Sequence, residues 1–207
     1  MVESEAAAPT ADRPPRRAAI LDAALIEFNA KGLAGASIAD IRRRSGASVG
    51  SIYHHFGDKE GIAGALYLDG LLDYQRGFIA ELGAARDARD GVQRVVHHHV
   101  RWISRHSELA RFMLLGGDAG VTLSTERLLR ELNRRFFGAV QRWVTPLVEK
   151  GELRELSPEL LTALWIGPSQ ELARHWLAGR TRVNPADAAP VLAEAAWRSM
   201  TPGDDPK

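Results

Sequence analysis

The chain has 207 residues, 45% of them apolar and 26% charged, with a net charge of +1 and no cysteine. That is the composition of a globular protein of one or two domains, and it excludes disulfides, a thiolate nucleophile and every thiolate-ligated metal or iron–sulfur centre. No run approaches the roughly 18 uncharged apolar residues of a membrane-spanning helix. Residues 1–12 lack the basic start and apolar centre of a secretory leader and read as a disordered tail. The absence of cysteine fits a reducing cytoplasm, the expected compartment, without requiring one.

The small net charge hides an asymmetry. Residues 1–12 carry three acids and no base, residues 13–59 carry eight bases against four acids, and the remainder is balanced. Positive charge confined to one short segment points to an anionic partner there; a solvated basic face is the plainer alternative.

Helical periodicity dominates, and no strand alternation, hairpin turn or internal repeat is visible. Ile20, Leu21, Ala24, Leu25 and Phe28 form one apolar stripe, closed by Lys31-Gly32. Ser37 is a candidate cap before residues 38–41, with Asp40 positioned to complete a box-like arrangement. Gly46 breaks the chain, Ser48 is the next candidate cap, and Gly57-Asp58 opens a longer helix. Ile62, Leu66, Leu72, Phe78, Ile79 and Leu82 mark its apolar side, and Gly61, Gly64, Gly70 and Gly77 should weaken it locally. Three short helices before a long one match a helix-turn-helix unit plus a connector.

Further on, Val92, Val96, Val100 and Ile103 mark a helix, Ser107 caps a continuation through Leu115, and Gly116-Gly117-Asp118 is a loop. Leu128, Leu132, Phe136, Val140, Trp143 and Leu147 recur along a long helix that Gly151 ends. Ser157-Pro158-Glu159 starts another that runs to Gly179, with a kink at Gly167-Pro168. Asn184-Pro185 opens a last helix ending near Met200, and a polar tail follows from Thr201. The fold class is all-α: a helix-turn-helix unit over residues 13–59 and a helical domain over residues 60–200.

The informative stretch is GLAGASIADIRRRSGASVGSIYHHFGDK, residues 32–59. Gly32, Ser37, Ile41, Gly46, Ser48, Gly50, Ile52, Tyr53, His55, Phe56 and Lys59 stand at the spacing by which it resembles the DNA-binding domain of the tetracycline-repressor (TetR) family of transcriptional regulators. The resemblance covers about a quarter of the chain. It implies a homodimeric repressor that leaves its duplex DNA operator when a small apolar effector binds the helical domain. It also implies pairing of the last two helices, here residues 157–179 and 184–200, as a four-helix bundle.

The residue chemistry agrees. A recognition helix must enter a major groove ~12 Å wide and offer polar tips to base edges. Ser48, Gly50 and Ser51 keep one face small, Val49 is a further DNA-contact candidate, Tyr53 and His54 are longer polar probes, and Ile52 and Phe56 should pack inward. Ser37 at a helix N-terminus, Arg44 from the run Arg42-Arg43-Arg44, and Lys59 are phosphate candidates. Ser37 and Ser48 serve as caps with or without DNA, and His55 reads as a packed structural histidine.

His97-His98-His99 cannot converge on one ion from a single helix, because adjacent residues point about 100° apart; no metal and no cofactor is expected, and His99 reads as lining a pocket. No nucleophile elbow or phosphate-binding glycine loop is present, so no catalytic residues are assigned and an enzyme is the least favoured reading. All five tryptophans lie at or beyond residue 102. The resemblance raises Trp102, Phe112, Met113, Phe136, Val140, Trp143 and Trp165 as effector-cavity candidates, against an ordinary aromatic core. Leu160, Leu164, Leu172, Val191, Leu192, Ala195 and Ala196 are the dimer-interface candidates; part of that stripe could equally be intra-chain core. An effector-independent DNA-binding or architectural protein remains the alternative.

Overall fold

The computed structural model describes residues 15–116 and 123–203. Among them are ten helices and no strand. The helices are α1 (Pro15–Gly35), α2 (Ile38–Ser45), α3 (Val49–Phe56), α4 (Lys59–Gly83), α5 (Ala88–Arg105), α6 (Ser107–Leu115), α7 (Leu123–Glu149), α8 (Pro158–Trp165), α9 (Gly167–Leu177) and α10 (Ala189–Met200). Of the expected tails and loop, residues 1–12, Gly117-Asp118 and residues 204–207 lie outside the described residues.

The chain forms two compact units. Within the described residues, the first comprises 15–70, 105–116 and 123–129, and the second 71–104 and 130–203. Helix α4 therefore contributes to both.

In the first unit, α1 supplies Ile20, Leu21 and Phe28 to a core that takes Ile41 from α2, Ile52 from α3, and Ile62 and Leu66 from α4. The two short helices have eight residues each, too few to persist alone in water. Tertiary anchoring supplies what length does not: Ile41 and Ile52 are both fully buried. Between them Gly46 sits at φ 67°, in the left-handed region that only glycine adopts without strain, and its N–H closes α2 on the Arg42 carbonyl at 3.0 Å. Gly32, at φ 71°, breaks the end of α1 where Lys31-Gly32 predicted a stop.

Helix α6 belongs to this unit, although the sequence placed it in the C-terminal domain. Phe112 stacks on Phe28, with centroids 5.7 Å apart. Asn29 donates to both the backbone and the carboxylate oxygen of Glu108 at 2.9 Å. Pairings so distant along the chain leave no trace in periodicity.

The second unit packs Phe78 and Leu82 of α4 with Val92, Val95 and Val96 of α5, Val140 and Val144 of α7, Leu161 and Trp165 of α8, and Ala193, Ala196 and Met200 of α10. The indole of Trp165 donates to the Val92 carbonyl at 3.0 Å.

Several boundaries differ from expectation. The helix predicted from Ser157 is divided at Ile166, so the Gly167-Pro168 kink is a break between α8 and α9. Ser107 is the first residue of α6, while the cap position is His106, whose side chain does not cap the helix. The last helix begins at Ala189, since the Asn184 side chain accepts from the Ala186 N–H at 2.9 Å and folds 184–188 into a turn. Pro190 then sits in the first helical turn, where a missing N–H is harmless. Helix α4 runs unbroken for 25 residues. Its glycines give neighbours room: a Cβ on Gly77 would lie 2.2 Å from the His98 ring, and one on Gly70 2.8 Å from the Met113 sulfur.

Gly91 on α5 has the same role against a large ring. A Cβ there would sit 2.1 Å from Cζ2 of Trp143, which stacks on Trp165. Alanine is the better helix former by about 1 kcal/mol, yet Gly91→Ala is expected to destabilise the protein by about 1–3 kcal/mol through overpacking. Urea unfolding measures this; an increase in stability would contradict the close packing of α5 on Trp143.

Candidate nucleic-acid interface and ligand cavity

Besides its buried isoleucines, the segment from Ser37 to Lys59 is held by caps and ion pairs. The Ser37 hydroxyl accepts from the Asp40 N–H at 3.1 Å and donates to its carboxylate at 2.8 Å. Asp40 also holds Lys31 at 3.0 Å and pairs with Arg43. The Lys31 ammonium, then the Ser37 hydroxyl, keep its carboxyl down at about 2. Glu27, 5% exposed on α1, binds Lys31 and Arg44, each at 2.8 Å. These bonds depress its pKa, with Lys31 the larger cause. Arg44 is thus tied to α1, whereas Arg42 is exposed and forms no ion pair among the described residues.

Helix α3 has two unlike sides. Ser48 caps it, accepting from the Ser51 N–H at 3.1 Å. Ile52 points into the core, and Phe56 is half-buried beneath the Arg17 guanidinium, 5.6 Å from its ring centre. On the other side Ser48, Val49, Gly50, Tyr53 and His54 are exposed and Ser51 is half-buried; Tyr53 retains 51% of its surface. His55, expected to be packed, is exposed and lies beside the rings of His54 and Phe56. A Cβ on Gly50 would meet nothing within 4 Å, so no internal contact requires glycine there. Lys59 is half-buried, and its ammonium donates to the carbonyls of Ala36 at 3.0 Å and Ala34 at 3.4 Å, strapping the start of α4 to the turn before α2.

The second unit holds a cavity of about 290 Å³. Helix α4 contributes Tyr74 and Phe78, and α7 contributes Phe136, Phe137, Gly138, Val140 and Gln141. Pro158, Leu161, Thr162 and Trp165 come from α8, then Ile166 and Gln170. Of the seven effector candidates it gathers Phe136, Val140 and Trp165. Trp102 is buried elsewhere, its indole bound to the Asp73 carboxylate at 2.8 Å. Trp143 packs on Gly91, and Phe112 and Met113 belong to the first unit's core. Phe78 reads in the sequence only as apolar stripe, and Tyr74 carries no expectation there. The adjacent pair Phe136-Phe137 carried a usable signal, because one stripe cannot hide both rings, and Phe137 is 43% exposed.

Two histidines of the run hydrogen-bond to Tyr74. His98 donates to the Tyr74 carbonyl at 3.0 Å, and His99 shares a 2.9 Å hydrogen bond with the Tyr74 hydroxyl. Among the described residues no group of three or more acidic or histidine side chains is placed to hold a metal ion. His99 is buried and does not line the cavity.

The interface candidates divide. Leu160 and Val191 are 53% and 74% exposed, Ala195 is exposed, and Leu164, Leu172 and Leu192 are half-buried. Ala196, at 2% exposed, is intra-chain core and presents nothing to a second copy.

Two short capped helices joined through a left-handed glycine, the second with its polar side outward, are a helix-turn-helix, the architecture of DNA-binding regulators. Residues 20–66, which contain this helix-turn-helix, match the family model described as bacterial regulatory proteins, tetR family. The chain is 36% identical over 85 residues to the HTH-type transcriptional regulator BetI of Paraburkholderia xenovorans, covering 41% of this chain and 44% of that protein. It is 40% identical over 50 residues to BetI of Paraburkholderia phymatum, covering 24% and 26%. The match therefore spans less than half the length of these curated relatives. The whole fold is that of solved TetR-family regulators. A TetR family transcription regulator from Marinobacter aquaeolei superposes at a TM-score of 0.73 with 20% identity, covering 90% of this chain and 95% of that one. FadR from Bacillus subtilis, solved in complex with stearoyl-CoA, superposes at 0.74 with 18% identity, covering 87% and 97%. Among the described residues no helix is long and apolar enough to cross a membrane.

Burial drives the His99 imidazole down to about 3 from its ordinary 6.5, and lowers His98 and His97 as well. The folded protein then binds fewer protons than the unfolded chain below pH 6.5, so stability is full above that pH and falls as the pH drops, by about 1.4 kcal/mol per unit for each full proton of difference. Asp40 and Asp90, both held at about 2, add losses only below the usual carboxylate value of 3.8. Melting temperature is expected to fall between pH 6.5 and 4.5, and less steeply in His99→Gln. An unchanged slope in that variant would contradict a neutral buried His99.

Proposed function

We propose that the protein is a homodimeric, cytoplasmic transcriptional repressor. Its two α3 helices read successive major-groove faces of a DNA operator, and a small apolar effector in the second unit releases it. The observation that carries this reading is the outward side of α3: Ser48, Gly50, Tyr53 and His54 exposed, with Ile52 fully buried beneath them. Gly50 has no internal reason to be glycine, and its lack of a side chain suits the close approach of a DNA backbone or base edge.

Phosphate contacts fix register while base contacts specify. In this scheme Ser37 and the N-terminus of α2 face one phosphate, Arg42 supplies a mobile charge to another, and Ser51, Tyr53 and His54 reach base edges. Arg44 and Lys59 act first as ties within the unit, and donate to phosphate only with the nitrogens those ties leave free. One eight-residue helix offers too few base contacts for specific affinity. Two, held roughly 34–36 Å apart by a dimer, offer enough. The exposed Leu160, Val191 and Ala195 supply apolar surface for that pairing, flanked by the half-buried Leu164, Leu172 and Leu192.

Release follows from helix α4. Its first residue, Lys59, bonds to the turn before α2, and Tyr74 and Phe78 further along line the cavity. An effector that binds more tightly when α4 has shifted favours the shifted state by that difference in affinity. The relatives named above are transcriptional regulators, and the cavity's lining residues form no catalytic constellation.

Tyr53→Ala is expected to weaken operator binding at least tenfold while leaving the melting temperature unchanged, since the ring is half exposed. Arg42→Gln is expected to lower the slope of log affinity against log salt by about 1 per protomer. Fluorescence anisotropy on labelled duplex measures both. Undiminished binding by a folded Tyr53→Ala protein would refute the α3 interface.

A further inference from the structure

The cavity of the second unit has a lining whose polar groups can be followed one by one. No Asp, Glu, Lys, Arg or His is among its lining residues. The Tyr74 hydroxyl is bound to His99, and burial raises its pKa, so it stays neutral. The Trp165 indole is spent on the Val92 carbonyl and the Thr162 hydroxyl on the Pro158 carbonyl at 2.9 Å. What remains is the side-chain amide of Gln170, half-buried, and that of Gln141, exposed at the rim; neither has a hydrogen-bond partner among the described residues. Rings make up much of the apolar lining. Phe78 meets Phe136 edge to face at 5.0 Å and Trp165 at 5.5 Å.

We infer that the cavity selects an uncharged, compact molecule with a flat apolar body and one hydroxyl or carbonyl group, which the Gln170 amide receives. The inference rests on the ligand-controlled reading proposed above and narrows its ligand class. A formal charge placed here would lose its water and gain no counter-charge, and ring faces carry negative potential that adds a penalty for anions. A volume of about 290 Å³ is at the lower end for small-molecule sites, too small for a long acyl chain with a nucleotide headgroup. An amide both donates and accepts, so Gln170 serves a hydroxyl or a carbonyl equally. Its partial burial makes an unfilled hydrogen bond more costly there than at Gln141 in open water.

Three probes of one shape isolate the claim: 1-naphthol, naphthalene and 1-naphthoate, titrated into the full-length protein at pH 7. Quenching of tryptophan fluorescence reports binding beside Trp165, and calorimetry confirms it. The expected order is 1-naphthol tightest, with 1-naphthoate at least tenfold weaker. Gln170→Met is expected to erase the preference for 1-naphthol over naphthalene, leave naphthalene affinity unchanged and keep the wild-type melting temperature. Octanoyl-CoA and tetramethylammonium run in parallel. Tighter binding of either one, or of 1-naphthoate, than of 1-naphthol would overturn the neutral-ligand inference while leaving ligand control standing. A preference for 1-naphthol that survives in folded Gln170→Met would overturn the role of that amide. If none of the five probes binds, both the inference and the ligand-controlled reading fall.

Discussion

The proposed function depends on the burial of one side chain. Helix α3 is eight residues long and has no stability of its own. Ile52, fully enclosed by the first unit's core, fixes which side of the helix faces inward and so which side is free. With that anchor in place, a 100° step per residue turns Tyr53 outward and sets Gly50 and His54 on the open surface. The Ser48 cap fixes where the helix begins. A polar residue at position 52 would release the whole geometry, because no other residue of α3 is fully buried.

A second constraint keeps α2 in register with α1. The carboxylates of Glu27 and Asp40 share the Lys31 ammonium and hold Arg44 and Arg43. Most of these cations are partly exposed, so each pair alone contributes little; Glu27 differs in being almost entirely buried, and its two partners prevent an uncompensated charge in the core. The basic excess that marks residues 13–59 is thus partly consumed inside the unit. Arg42 stands on the exposed side of α2 with no ion pair among the described residues, and the formal charge of residues 13–59 is positive.

Much of the first unit was legible because its signals are local. Ser37 and Ser48 cap through their own hydroxyls, Gly32 and Gly46 stop helices by their own backbone preference, and the stripe from Ile20 to Phe28 carries its period in five residues. The exposed face of α3 follows from the same arithmetic. The second unit resisted for the opposite reason. Its cavity is bounded by α4, α7, α8 and α9, and whether a ring lines it or fills the core depends on neighbours far along the chain. Trp143 and Trp165 look alike in sequence; Gly91 makes room for one and the Val92 carbonyl turns the other. Lys59 likewise reads as an open charge until the carbonyls of Ala34 and Ala36 are seen beside it.

The central claim, that the outward side of α3 docks on duplex DNA, is tested most directly by hydrogen exchange on the protein bound to a sequence of its own choosing. Duplexes enriched from a random pool by the purified protein supply that sequence. The account predicts a sequence with two-fold symmetry and slowed amide exchange over residues 48–54 in the complex. Failure to enrich any sequence, or protection confined to residues outside α2 and α3, would contradict it.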